Sequence, residues 1–204
     1  MLAPRRPPSL DKFLSHLDED DWTEWVQGEV ITLPPGSSRH QSLMLFLIGV
    51  MALLIEARHL GKLWSAPFLM VLRDQDCARE PDLLFVRREH TDRIRDSHLE
   101  GPADLVVEIV SPESVSRDRG EKFVEYEAAG IPEYWLLDPL RKLAQVYRLQ
   151  SVGEGPDRYR LVSTDPDGFL RSQVLEGFRL RPEWLWRDPL PKVLDVAREL
   201  GILD

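Results

Sequence analysis

The chain has 204 residues, with 26 Lys+Arg against 35 Asp+Glu and a formal net charge of −9. Hydrophobic residues make up 43% and charged residues 30%, a balance that suits one globular domain and excludes a disordered tail, a collagen or a disulfide scaffold. The single cysteine, Cys77, excludes an intrachain disulfide and every multi-cysteine zinc site, and it suits a reducing, cytoplasmic setting. The acidic pI of about 5.1 disfavours nucleic-acid binding by bulk charge and leaves room only for a local basic groove.

Residues 1–9 read as a flexible arm. Arg5 and Arg6 precede prolines rather than an apolar stretch, so no secretory signal is expected. A single domain is expected over 10–204. Leu10 to Leu17 predicts a short helix, and Thr23 to Leu33 a strand pair or one irregular strand. Pro34-Pro35-Gly36-Ser37-Ser38 breaks the chain; Ser38 then caps a long helix that Gly61 ends. That helix contains Leu43 to Ile55, a run of thirteen apolar positions counting Gly49. A membrane span needs about 20, so the run reads as a core helix and no membrane contact is expected.

Leu63 to Leu72 predicts one strand, Arg73 to Glu80 a polar turn, and Pro81 to Val86 another strand. Arg87 to Pro102 is a long charged connection. Asp104 to Val110 is the strongest strand, apolar enough to be buried on both faces. Ser116 to Ala129 predicts a helix capped by Ser116 and stopped by Gly130 and Pro132. Glu133 to Asp138 and Lys142 to Leu149 are strands around Pro139-Leu140-Arg141. Arg158 to Leu180 adds one or two strands, and Pro189 to Leu200 a closing helix. The order predicts an α/β or α+β domain, a central sheet flanked by helices.

Glu108 is the informative residue. It interrupts Val106-Val107-Glu108-Ile109-Val110, where an unpaired carboxylate would cost several kcal/mol. It must meet a cation, take a proton or face a cleft, and Ser111-Pro112 puts it near the strand end. Asp82, between Pro81 and Leu83, is placed similarly. Lys122, fourteen residues after Glu108, is the candidate cation, with Tyr126 one turn further on the same helix face. Two carboxylates and a lysine can hold a hard divalent ion and hydrolyse a phosphate ester. Each also has a bland alternative: Asp82 as a turn cap, Glu108 as half of a structural ion pair with Lys122 or an arginine, Lys122 as a solvated helix residue pairing with Asp118 or Tyr126, Tyr126 as a packing aromatic, His40 as a helix-start residue and Glu29 as an exposed strand acid. No zinc-protease, phosphate-loop, nucleophile-elbow or dinucleotide motif is present.

Four stretches carry a resemblance: Glu80-Pro81-Asp82-Leu83-Leu84-Phe85-Val86, Gly101 through Pro112, Asp118 through Tyr126, and Ala129 through Pro139. Together with Gly28-Glu29 and Ser38-Arg39-His40-Gln41, they resemble the Uma2 family of restriction-endonuclease-like proteins, from about Leu10 to Leu180. The resemblance implies the PD-(D/E)XK nuclease fold, a mixed central sheet flanked by helices. It implies Mg²⁺, with Mn²⁺ able to substitute, and hydrolysis of DNA by a homodimer. It implies Asp82 and Glu108 as metal ligands with the Ile109 carbonyl, Lys122 as the lysine that positions the attacking water, and Glu29, His40 and Tyr126 near the site. The wider superfamily has its lysine two residues after the second acid; here that residue is Val110, and the role passes to Lys122. Gln27 stands where the family more often has aspartate. The rival expectations are a non-catalytic relative kept as a nucleic-acid-binding or assembly module, and a structural oligomer whose acids form an ion-pair network.

Overall fold

The protein is described from a computed structural model over residues 9–17, 22–112, 114, 117–153 and 155–203. Residues 1–8 of the arm expected at 1–9 and the cap expected at Ser116 lie outside the described residues, while Ser9 belongs to the first helix as its cap. Helix α1 (Leu10–Leu14) is capped by the Ser9 hydroxyl, which accepts from the Lys12 amide, and it ends before Leu17. Strands β1 (Thr23–Val26) and β2 (Glu29–Thr32) form the expected hairpin. Gln27 and Gly28 both have positive φ in its two-residue turn. Helix α2 (Ser38–Arg58) is capped by Ser37 rather than Ser38, and a left-handed His59 ends it before Gly61.

The predicted strand Leu63 to Leu72 is instead two strands in different sheets, β3 (Gly61–Ser65) and β4 (Leu69–Leu72). Pro67 separates them because it has no N–H to continue a ladder. The predicted polar turn holds a buried strand, β5 (Cys77–Arg79). It is followed by β6 (Leu83–Arg87), β7 (His98–Glu100) and β8 (Leu105–Ile109). The predicted helix at 116–129 is a π-helical turn, Arg117–Glu121, leading into α3 (Lys122–Ala128). Then come β9 (Glu133–Asp138), β10 (Leu143–Gln150), β11 (Arg158–Val162), β12 (Leu170–Arg171) and β13 (Arg179–Leu180). Helix α4 (Val193–Glu199) starts later than Pro189, after Pro191 rather than around it.

Among the described residues the central sheet has order β11-β10-β9-β8-β6-β3, with β8 and β9 parallel and the other pairs antiparallel. A second sheet has order β2-β1-β5-β4-β7. The central sheet is covered on both faces, as the apolar run in β8 requires. One face, with Leu83, Phe85, Val107 and Trp135, packs on α2 and the C-terminal segment. The other, with Leu84, Val86, Val106 and Leu136, packs on the second sheet and α3.

By length and composition alone, α2 could cross a membrane: 21 residues, with mean hydropathy 1.7 in its most apolar window. Part of its apolar surface is covered here from two sides, with 44% of that window buried, while Leu45 stays 65% exposed. Leu43, Leu47, Val50 and Leu54 join the core against the sheet, while Gly49 on another face meets Val193.

Gly61 marks the tightest backbone approach in the central sheet. A Cβ there would stand 2.1 Å from the Val86 carbonyl oxygen. Gly61→Ala is therefore expected to lose about 1–3 kcal/mol by forcing β3 off β6. Urea unfolding checks this, and an unchanged midpoint would contradict the β3–β6 register.

Candidate active site

The pairing of β6 with β8 decides where the two acids go. Leu84 lies opposite Val106, so Asp82, two residues before Leu84, and Glu108, two residues after Val106, project on the same face. That face is the one shared with α3. The Asp82 carboxylate accepts the Ile109 amide at 2.6 Å, which ties it to the end of β8. Its other oxygen lies 3.0 Å from His40 Nε2 in the first turn of α2.

Glu108 is 3% exposed, and both of its bonds land on one oxygen: Lys122 Nζ donates at 2.8 Å and the Tyr126 hydroxyl at 2.9 Å. Lys122 and Tyr126 are one turn apart on α3, so a single helix face delivers both donors. Lys122 Nζ also lies 3.1 Å from Glu24 and 3.8 Å from Asp118. Glu24 in turn holds Arg79, 0% exposed, at 2.9 Å. Arg79 reaches Glu125 with two bonds of 2.7 Å and Glu121 at 3.3 Å. A buried chain of charges thus runs Arg79–Glu24–Lys122–Glu108 from β5 through β1 and α3 to β8.

Asp82, Glu108, Lys122 and His40 line a cavity of about 420 Å³, together with Glu80, Asp118, Arg117 and an apolar rim that includes Trp22, Pro34 and Pro35. Carboxylates outnumber cations there. Burial pushes Glu108 above the usual carboxylate range, against the pull of Lys122, with Asp118 and Asp82 adding to the rise. Burial raises Asp118 as well. Glu24 goes the other way: burial opposes its charge, but Lys122 and Arg79 outweigh it and hold its pKa low. Burial also disfavours the His40 cation, yet the hydrogen bond and charge of Asp82 hold its pKa above the ordinary value. Lys122, facing three acids, stays charged.

Glu80 is pushed up to about 7 by burial, then by Glu24. Its folded pKa exceeds its unfolded one, so its contribution to stability is complete below about pH 4.5 and is lost as pH rises through about 7. Without divalent ions the protein is expected to lose stability between about pH 4.5 and 7, and Glu80→Gln is expected to shrink that loss. Thermal melts of both proteins across that range check it; superimposable pH profiles would contradict it.

Asp82, Glu108, Ile109, Lys122 and His40 all line the cavity, and Tyr126 stands behind Glu108. Glu29 does not join them. It is exposed on β2, an edge strand, and the register sets it opposite Val26. The N-terminal glutamate that reaches the site is Glu24, on the inner strand β1 and 0% exposed. Sequence reasoning also passed over Arg79 and Glu80, because Arg73 to Glu80 reads as a turn. An acid inside Trp22-Thr23-Glu24-Trp25-Val26 was the available signal for Glu24.

Among the described residues, no three His, Cys, Asp or Glu groups stand ready as a metal cluster. The donor set nevertheless fits a hard divalent ion. Asp82 and Glu108 offer carboxylate oxygens on one cavity wall. Two more buried acid oxygens, Glu80 Oε1 and Asp118 Oδ1, have no hydrogen-bond partner. Buried polar atoms left in this way mark a place for a missing partner.

The sequence profile of the Uma2 family, described as "Putative restriction endonuclease", matches residues 10–183. The chain belongs to the Uma2 family. No curated protein matches it. Among solved structures, a protein described as a "putative nuclease" of DUF820 from Anabaena variabilis is similar over 88% of this chain and 98% of its own, with 18% identity and a TM-score of 0.70. That likeness carries the fold: the Uma2 chain and this nuclease-like protein share a mixed α+β architecture.

Proposed function

We propose that this Uma2 protein is a divalent-metal-dependent endonuclease that hydrolyses DNA phosphodiester bonds. The observation that supports it is the meeting of Asp82 and Glu108, from paired strands, with Lys122 on one cavity floor. Asp82 and Glu108 would hold the ion, with the Ile109 carbonyl beside them. A bound divalent ion polarises a phosphoryl oxygen and acidifies a water at neutral pH. Asp82 is held in place by the Ile109 amide and His40. Lys122 sets the orientation of Glu108 and keeps a positive charge beside the phosphate as its negative charge grows. Tyr126 fixes the same Glu108 oxygen from the other side. The same reading takes Mg²⁺, or Mn²⁺ in its place, with a cytoplasmic homodimer as the working form.

A purely structural ion-pair network would have the same backbone of contacts. Glu80 Oε1, buried with no hydrogen bond or ion pair among the described residues, speaks against it, because a structural network gains nothing from leaving a buried acceptor bare. The test is cleavage of plasmid, duplex oligonucleotide and single strand with Mg²⁺ or Mn²⁺. Cleavage is expected from the wild type, lost in the Asp82→Ala plus Glu108→Ala variant and lost on chelation. No cleavage of any of the three by folded wild type would overturn the proposal.

A further inference from the structure

Resting on the endonuclease reading, we propose that the cavity seats one unpaired nucleotide, its base against Trp22 and its phosphate against Arg117, so that the substrate is single-stranded DNA rather than intact duplex. Three observations carry this.

The first is depth. Glu108 and Lys122 are 3% and 2% exposed, below a rim of Leu33, Pro34, Pro35 and Trp22. The phosphates of a stiff duplex ride on its outside and cannot reach groups sunk in a cavity of about 420 Å³. A lone strand can bend in. A paired one must first unstack, at a cost of a few kcal/mol.

The second is the rim. Trp22 lines the cavity and keeps 37% of its surface exposed, whereas Trp25, Trp135 and Trp184 are buried in the core. An exposed indole flanked by prolines offers a stacking face that every base can use.

The third is Arg117. It lies on the cavity wall in the π-helical turn before α3, and its Nε is buried with no hydrogen-bond partner. Among the described residues it makes no salt bridge, while Arg79 and Lys122 are fully engaged by carboxylates. In a chain of net charge −9, a guanidinium on the cavity wall that forms no salt bridge among the described residues, with Asp118 as its electrostatic neighbour, is placed to take a phosphate.

The experiment compares cleavage of a fluorescein-labelled oligo-dT with that of the same strand annealed to its complement, for wild type, Trp22→Ala, Trp22→Phe and Arg117→Gln. Binding of the same oligo-dT is followed by anisotropy without divalent ions. The single strand is expected to be the better substrate. Trp22→Ala is expected to raise KM about tenfold with kcat little changed, and Trp22→Phe to restore it. Arg117→Gln is expected to weaken binding and to flatten its salt dependence. Melting temperature and Mn²⁺ affinity should stay as in wild type, which a merely structural role would not allow. Duplex cut as well as single strand, or Trp22→Ala with unaltered KM, overturns this inference and leaves the endonuclease standing. Binding that depends on Trp22 without any cleavage supports the seat and overturns the endonuclease. Neither binding nor cleavage overturns both.

Discussion

Replacing Arg79 by alanine is expected to destabilise the protein by about 3–5 kcal/mol, the cost of leaving buried charge unpaired. For a domain of this size that is a fall in Tm of roughly 6–20 °C. Arg79 has no exposed surface, and its guanidinium meets carboxylates from β1, the π-helical turn and α3 at once. Without it, Glu24 keeps Lys122 as its one cation among the described residues, and Glu125 loses both of its short bonds. Arg79→Lys is expected to recover part of the loss, since one ammonium cannot reproduce a fork that bonds three acids. Calorimetry of the three proteins checks this. A change below about 1 kcal/mol for Arg79→Ala would mean that the charge chain is solvated and not what fixes Lys122.

The second large effect is on activity. Asp82→Asn and Glu108→Gln are each expected to lower cleavage by about 10²–10³-fold or more, the scale of removing one electrostatic element of a transition-state site. Stability should move the other way. Burial and the neighbouring acids disfavour the Glu108 charge, so an uncharged amide of the same shape relieves repulsion in the metal-free protein. Glu108→Gln is therefore expected to match or exceed wild-type stability at neutral pH, and to lose the stabilisation that divalent ions give the wild type. Paired kinetic and thermal measurements check both halves. Full activity in Glu108→Gln would remove it from the chemistry. A large loss of stability would make it a structural partner of Lys122.

Much of the fold was legible because its signals are local. The hairpin at 23–32, the long helix after Pro34-Pro35 and the apolar strand around Val106 follow from turn residues, caps and periodicity. What misled were positions where tertiary pairing overrides composition. Cys77-Ala78-Arg79 looks like a polar turn until three carboxylates neutralise the arginine. Leu63 to Leu72 looks like one strand until Pro67 divides it between two sheets. Asp82 and Glu108 were legible as acids set in apolar strands, and Lys122 by its spacing from Glu108 and by the resemblance. The resemblance names Glu29, and Glu24 is not singled out; what separates them is strand order, since β2 is an edge and β1 is not, and nothing local to either residue states that.

Everything chemical in the proposal rests on a proposed cation seat between β6 and β8. Diffraction from crystals soaked in Mn²⁺ tests it most directly. The expected result is an anomalous peak within about 2 Å of carboxylate oxygens from both Asp82 and Glu108. A peak bound elsewhere, or an empty cavity with Glu108 still held by Lys122 and Tyr126 at saturating Mn²⁺, would contradict it.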